Sequence, residues 1–171
     1  MDHGGPRQSG AGCGVSALAD GLIFRFGLAE ERLALEALQR RASLIYEADR
    51  AMLLANPGAI DLPLAQLQEK RVRVAQRDGQ IQGFTAVLPR GGGICDLDGL
   101  FVEPDRWKGG IGRAMMEDAF ALARAQGMAV MEVLGNPYAE GFYVKLGFVR
   151  TGTVPLPFGI AAKMCRQLGQ T

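Results

Sequence analysis

A glycine-rich turn between a predicted strand and a predicted helix is the segment of this sequence best suited to chemistry. It lies within LFVEPDRWKGGIGRAMM, residues 100–116, and has glycines at 109, 110 and 112. At such a junction several backbone N–H groups and the positive end of the helix point to one place, which makes an anion site suited to phosphate. Lys108 and Arg113 would add positive charge. A tight turn that binds nothing is the alternative for this segment taken alone.

Common nucleotide-binding signatures do not match this turn. The dinucleotide pattern G-x-G-x-x-G fails because the third glycine, counted from Gly110, would fall at Met115. The P-loop pattern fails as well, because no Gly-Lys-Ser or Gly-Lys-Thr follows. Nucleotide binding therefore remains only an alternative interpretation of this turn.

Composition excludes several other chemistries. The chain has 171 residues with 19 Lys and Arg against 18 Asp and Glu, whereas proteins that bind duplex nucleic acid usually have a basic excess. Cys13, Cys95 and Cys165 lie far apart, which argues against a disulfide framework and a zinc site. The only histidine, His3, lies in the expected N-terminal tail. The folded domain therefore lacks the histidine that Ser–His–Asp and Cys–His mechanisms and a histidine-bound metal require. We expect no metal and no nucleic-acid partner.

The chain also lacks the sequence marks of membrane insertion or export. No run reaches about 18 consecutive apolar residues, so we expect no membrane span. No basic stretch leads into an apolar segment near the N-terminus, which argues against a secretory signal and, with the unpaired cysteines, favours a cytoplasmic protein. We expect residues 1–19 to form a poorly ordered tail and residues 20–171 to form one domain.

Hydrophobic periodicity predicts short strands and helices in a definite order. The predicted strands are 21–27, 71–76, 80–88, 94–102, 128–134, 148–153 and 160–168. The predicted helices are 29–43, 47–55, 62–70, 112–127 and 137–147. This order predicts an α+β fold, a mixed sheet with helices on its faces rather than a doubly wound parallel sheet. Arg71 and Arg73 alternate with Val72 and Val74, so we expect both arginines on a solvated strand face.

Two motifs together resemble the GNAT N-acetyltransferase superfamily. Its central motif, V-x-P followed by [RQ]-x-x-G-x-[GA], corresponds to Val102-Glu103-Pro104 and to residues 107–112. Gly110 and Gly112 match, whereas Trp107 stands where Arg or Gln is usual. The second motif, N-x-x-A-x-x-F-Y-x-x-x-G-F, matches residues 136–148 at each key position. The resemblance covers residues 21–168 and implies a single GNAT-type domain. Such a domain has a mixed, mostly antiparallel sheet of about six to seven strands, helices on both faces and a splayed parallel pair of strands.

The resemblance implies an acetyl-CoA site in a cleft between two splayed parallel strands, here 94–102 and 128–134. The pantetheine arm would pair with the main chain of Phe101 and Val102 like an added strand. Asn136 would contact the cofactor near the point where the strands separate. The pyrophosphate would bind the backbone amides of Lys108, Gly109, Gly110, Ile111, Gly112 and Arg113.

The resemblance also implies the catalytic groups. Tyr143 corresponds to the general acid that protonates the thiolate leaving group, and a phenol and a thiol have pKa values within about two units. An aromatic core residue is the alternative for Tyr143. In members with a catalytic glutamate on this strand, that glutamate falls at Asp96, and Asp98 faces the same way unless a bulge intervenes. Either carboxylate could be the base or only hold the substrate ammonium, and many members use water chains instead.

The function implied is an acetyl-CoA-dependent N-acetyltransferase acting on a primary amine of a small molecule. The alternative within this fold is a catalytically silent acyl-CoA-binding or regulatory module. Candidate linings of the acceptor pocket are Tyr46, Asp49 and the loop 154–158, on position alone. Many members of the superfamily are homodimers, so a homodimer is left open.

Overall fold

The computed structural model describes residues 16–17, 20–157 and 159–169, and these contain one sheet of eight strands in the order β1-β2-β3-β4-β5-β6-β8-β7. All neighbours are antiparallel except β5 and β6, which are parallel. The predicted mixed, mostly antiparallel sheet is confirmed, with one strand more than the upper estimate. The strands are β1 Ser16–Ala17, β2 Ile23–Phe26, β3 Val72–Arg77, β4 Gln80–Gly91, β5 Ile94–Val102, β6 Val130–Gly135, β7 Val149–Leu156 and β8 Gly159–Gln167.

Five α-helices join these strands within the described residues. They are α1 Arg32–Ser43, α2 Glu47–Ala55, α3 Leu64–Gln68, α4 Ile111–Ala125 and α5 Glu140–Lys145. Short 3₁₀ turns precede α1 at Ala29–Glu31 and α5 at Pro137–Ala139, so the predicted helices 29–43 and 137–147 are each divided. Within the described ranges, no helix has both the length and the apolar character that crossing a membrane requires.

The expected N-terminal tail lies outside the described residues, apart from Ser16 and Ala17. These two residues pair with Phe24 and Ile23 and so extend the sheet at its β2 edge. His3 and Cys13 also lie outside the described residues.

The helices cover both faces of the sheet, and the alternation along β3 shows why. Val72 and Val74 pack with α1 and α3 in one core cluster, whereas Ala75 belongs to a second cluster with the start of α4. A third cluster joins the rest of α4 to β5, β6, α5 and β8. Side chains of successive strand residues point to opposite faces, so a strand buried on both sides reads as a nearly continuous apolar run.

Arg73 is not on a solvated face, and that expectation is wrong. Its side chain is only 7% exposed and binds Asp118 of α4 through two 2.8 Å bonds, Nε to Oδ2 and Nη2 to Oδ1. The guanidinium also lies 4.9 Å from the ring centroid of Phe26. Because α4 covers this face of β3, the position is interior, and a charged side chain can lie there only with a paired carboxylate. Arg71 is half-buried.

Candidate functional site

A cleft opens where the parallel strands β5 and β6 separate. Their pairing runs from Ile94 with Val130 to Leu97 with Val133, and β5 then continues to Val102 while β6 continues to Gly135. The cleft has a volume of about 760 Å³. Its walls are the ends of these strands, the β5–α4 turn, the 3₁₀ turn and helix α5, and residues of α1, α2 and the segment to Ile60.

The main chain of β5 directs N–H and C=O groups into this cleft. The Glu103 N–H donates to the Gln82 carbonyl at 2.8 Å, so Glu103 directs its main-chain groups to β4. Because these directions alternate along a strand, Phe101 also points to β4, whereas Leu100 and Val102 point to the cleft. Trp107 Nε1 donates to the Val102 carbonyl at 3.0 Å from that side.

Phe101 is therefore not the partner that we expected for an added strand. Its main-chain groups belong to the pairing with Phe84 on β4, and its ring packs against the ring of Phe84 at 5.3 Å. Leu100 and Val102 are the residues whose main-chain groups are directed into the cleft.

A β-bulge in β5 singles out Asp98. Leu97 pairs with Val87 and Gly99 pairs with Ala86, so Asp98 is an extra residue in the ladder. A bulge bends the strand and re-aims a side chain. Asp98 is exposed, lines the cleft, and accepts a 3.1 Å hydrogen bond from Nε2 of Gln66 on α3.

Asp96 has different surroundings, and it does not line the cleft. It lies opposite Glu132 of β6, and its carboxylate is 3.6 Å from Arg90. Glu132 is also bound by Arg90 and lies 3.7 Å from Lys163, so Asp96 belongs to a charge cluster across four strands. The Arg90 guanidinium lowers the pKa of Glu132 by hydrogen bonding. The structure therefore brings Asp98, but not Asp96, to the cleft.

The β5–α4 turn has the geometry of an anion site. Gly110 is the N-cap of the 15-residue helix α4 with φ of 81°, a left-handed conformation that favours glycine. A Cβ at Gly110 would meet nothing within 4 Å, so the space beside it is open. Lys108, Gly110, Gly112 and Arg113 line the cleft, whereas the Ile111 side chain is buried in the core and Gly109 is not part of the lining. Main-chain amides and two basic side chains thus fit a phosphate group here.

Tyr143 of α5 lies on the wall of the cleft with most of its side chain buried. It is 7% exposed and makes edge contacts with the rings of Phe142 and Phe148. Burial, with a smaller contribution from the nearby Tyr46, raises the pKa of Tyr143 to about 12. A Cβ at Gly135 would come within 3.3 Å of the Tyr143 ring, so β6 also fixes its position.

The first turn of α2 bridges the two walls of the cleft, a feature that the sequence did not reveal. The Tyr46 ring stacks on Tyr138 at 5.5 Å and lies 5.8 Å from the Trp107 ring. Asn136 Nδ2 donates to Asp49 Oδ2 at 2.9 Å. The Asn136 side chain also caps the 3₁₀ turn, because its Oδ1 accepts from the Tyr138 N–H at 2.9 Å. We name this set, Tyr46, Asp49, Trp107, Asn136 and Tyr138, the aromatic bridge.

Only some of the residues expected to line the acceptor pocket do line the cleft. Tyr46 and Asp49 line the cleft. Residues 154–157 of the β7–β8 hairpin are not part of the lining, and Phe158 lies outside the described residues. Burial, with a smaller contribution from Asp49, raises the pKa of Tyr46. No sequence pattern distinguished Tyr46, because its role depends on a contact across the cleft.

Comparison with known proteins matches residues 68–150 to the family described as the acetyltransferase (GNAT) domain. The chain is 30% identical over 129 residues to the IAA acetyltransferase of Azospirillum brasilense, a match over 73% of this chain and 78% of that protein. It is 34% identical over 95 residues to the mycothiol acetyltransferase of Mycolicibacterium vanbaalenii, a match over 54% of this chain but only 31% of that longer protein.

Solved structures agree on the fold. The Salmonella typhimurium yncA structure, described as a putative acetyltransferase with its cofactor acetyl-CoA, superimposes with a TM-score of 0.64 at 21% identity. That match covers 88% of this chain and 95% of the other chain. At this level of identity the likeness concerns the fold.

Proposed function

The chain belongs to the GNAT N-acetyltransferase superfamily, and from that premise we propose that it transfers the acetyl group of acetyl-CoA to a primary amine of a small molecule. One observation carries the proposal. The main-chain edge of β5 at Leu100 and Val102, which faces away from β4, leads along the cleft to the open N-terminus of α4 at Gly110. An extended pantetheine arm and a pyrophosphate require such an edge and such a helix end, in that order.

The residues of the cleft fit acetyl-CoA in chemistry as well as in position. The amides at the start of α4, with Lys108 and Arg113, would hold the pyrophosphate. Leu100 and Val102 would pair with the pantetheine amides, the Val102 carbonyl once Trp107 Nε1 has released it. Asn136 would contact the cofactor near the point where β5 and β6 separate, once its hydrogen bond to Asp49 is released. When bound, acetyl-CoA supplies an activated thioester whose carbonyl carbon an amine can attack.

Two side chains would move protons in this reaction. We assign the base to Asp98 rather than to Asp96, because Asp98 lines the cleft and Asp96 is bound in the charge cluster with Arg90. Asp98 would take the proton that the substrate ammonium loses. Tyr143, whose phenol is protonated at neutral pH, would donate its hydroxyl proton to the leaving sulfur. The second proton, which the amine nitrogen loses as the carbon–sulfur bond breaks, would restore the Tyr143 hydroxyl. The Leu100 N–H, directed into the cleft, could stabilise negative charge on the acyl oxygen.

Binding and turnover together test this function. Titration calorimetry should detect binding of acetyl-CoA, and it should find that ATP and NAD bind more weakly or not at all. Incubation with acetyl-CoA and a panel of primary amines should release free CoA thiol and yield the N-acetyl product by mass spectrometry. Binding without turnover would favour the catalytically silent module, whereas binding of ATP or NAD alone would favour the nucleotide-binding alternative.

A further inference from the structure

The basic and the acidic residues that line the cleft come from different elements. Its basic lining residues come from the β5–α4 turn and from α5: Arg106, Lys108, Arg113 and Lys145. A second part of the lining, which we name the acceptor end, comes from α1, α2 and the segment to Ile60, together with Asp98. Among the described residues that line the acceptor end, none is basic, and Asp49 and Asp98 are acidic.

Nearby arginines on α1 and α2 do not supply a cation to the acceptor end. Arg40 and Arg50 each donate to main-chain carbonyls, of Pro57 and Leu44 respectively. Arg41 of α1 is bound to Glu103, and none of the three lines the cleft.

The remaining lining of the acceptor end is mostly apolar. Met52, Leu53 and Ile60 contribute aliphatic surface, and Tyr46 contributes an aromatic ring. Leu53 and Ile60 are buried, and Met52 is half-buried. Such a surface gains free energy when it covers an apolar group, at about 25 cal/mol per Å² of apolar area removed from water.

We propose that the acceptor is a cationic monoamine with an apolar body and no carboxylate, such as an arylalkylamine, and not an amino acid. This inference rests on the proposed function. Asp98 attracts the ammonium to the point where β5 and β6 separate, and the apolar wall covers the body of the substrate. An α-carboxylate would lie beside Asp98 and Asp49 without a cation, and burying an unpaired charge next to like charges is costly.

Matched acceptors test this proposal on the whole protein. The rate of CoA release is measured with 2-phenylethylamine, L-phenylalanine, L-phenylalanine methyl ester and spermidine. We expect kcat/KM for the amine to exceed that for the amino acid by at least about tenfold, because like charges disfavour the wrong partner. The ester should resemble the amine, because esterification removes only the negative charge.

The outcomes separate the inference from the function on which it rests. Equal use of L-phenylalanine and 2-phenylethylamine would overturn the exclusion of carboxylates, and a preference for spermidine would overturn the apolar body. If acetyl-CoA binds but none of the four compounds is acetylated, and a wider amine panel also fails, the proposed function itself is wrong.

Two variants that each introduce one positive charge give the second test. Met52→Arg places a cation in the acceptor end, whereas Leu54→Arg places one on the same helix at a side chain that is 63% exposed and outside the cleft. Met52→Arg should shift the ratio of kcat/KM towards L-phenylalanine by at least about tenfold. Leu54→Arg should leave the ratio unchanged. If a folded Met52→Arg protein, checked by circular dichroism, keeps the wild-type ratio, the charge argument is wrong.

Discussion

Tyr143 is the residue whose chemistry depends most directly on its surroundings. Its ring is enclosed by Phe142, Phe148 and the glycine at 135, while one edge faces the cleft. Burial disfavours the phenolate, so the pKa rises to about 12 and the hydroxyl stays protonated throughout the range in which the protein would work. The phenol therefore enters the reaction as a proton donor.

The first prediction concerns this donor. Tyr143→Phe keeps the ring and removes the proton, so kcat should fall by about 10²- to 10⁴-fold while the Kd for acetyl-CoA stays within a few-fold. Tyr138→Phe, at a tyrosine that is 65% exposed, is the control and should keep its rate. Because the wild-type phenol stays protonated below its raised pKa, no loss of kcat from its ionisation should appear up to pH 10. Unchanged turnover in Tyr143→Phe would remove this residue from the mechanism.

The second prediction separates the two carboxylates of β5. If Asp98 is the base, Asp98→Asn should depress kcat most at low pH, where fewer substrate amines are already neutral. If Asp98 only recognises the ammonium, the same variant should raise KM at every pH. Asp96→Asn is the matched control, because Asp96 pairs with Arg90 outside the cleft, and its pH–rate profile should follow wild type. An Asp96→Asn protein with the larger defect would reverse our assignment.

At the scale of elements, the sequence predicted most of the fold because local patterns and packing agree. Helix α2 was predicted at its observed bounds, and β5 likewise, because turn residues delimit both segments. The bulge at Asp98 was not predicted, since it depends on register against β4. Arg73 was misplaced for a related reason: alternation predicts which face a side chain takes, but not whether a helix covers that face.

The third prediction tests the helix end at Gly110. Gly110→Asp introduces a Cβ and a negative charge where the pyrophosphate would bind, and Gly110→Asn introduces nearly the same shape without the charge. Asp and Asn tolerate the positive φ of this position better than most other residue types, so both variants should fold. The affinity for acetyl-CoA should fall in both variants and fall further in Gly110→Asp. Gly79→Asp, at a hairpin turn with φ of 75°, is the control, and calorimetry should find its affinity for acetyl-CoA unchanged. Wild-type affinity in Gly110→Asp would refute this phosphate site.

The fourth prediction concerns the ion pair between β3 and α4. Asp118→Asn replaces the carboxylate that binds the buried Arg73 guanidinium by a neutral amide, so the free energy of unfolding should fall by about 3 kcal/mol in urea denaturation. Glu117→Gln, at the exposed neighbouring position, should change it by less than about 0.5 kcal/mol. Replacing both partners, as Arg73→Met with Asp118→Leu, should recover most of the loss, because no unpaired charge is left. Equal stability of Asp118→Asn and Glu117→Gln would contradict a structural role for this pair.

At the scale of the whole molecule, the aromatic bridge connects the two ends of the cleft. Tyr46 contacts Trp107 at the phosphate-binding side and Tyr138 on the opposite wall, while α2 also lines the acceptor end. A ligand at either end would therefore order the same helix. The second ligand would then lose less conformational freedom on binding, and the two affinities would be coupled.

The fifth prediction is that CoA and the acceptor each tighten the binding of the other. CoA carries no acetyl group, so its complex with 2-phenylethylamine cannot react, and calorimetry can measure the Kd of the amine with and without saturating CoA. We expect CoA to lower this Kd by at least about fivefold, and by linkage the amine should lower the Kd of CoA by the same factor. Tyr46→Ala removes both ring contacts and should reduce the factor towards one, whereas Tyr46→Phe keeps the rings in contact and should preserve it. Independent binding in the wild-type protein, or undiminished coupling in Tyr46→Ala, would show that the bridge does not connect the two ends.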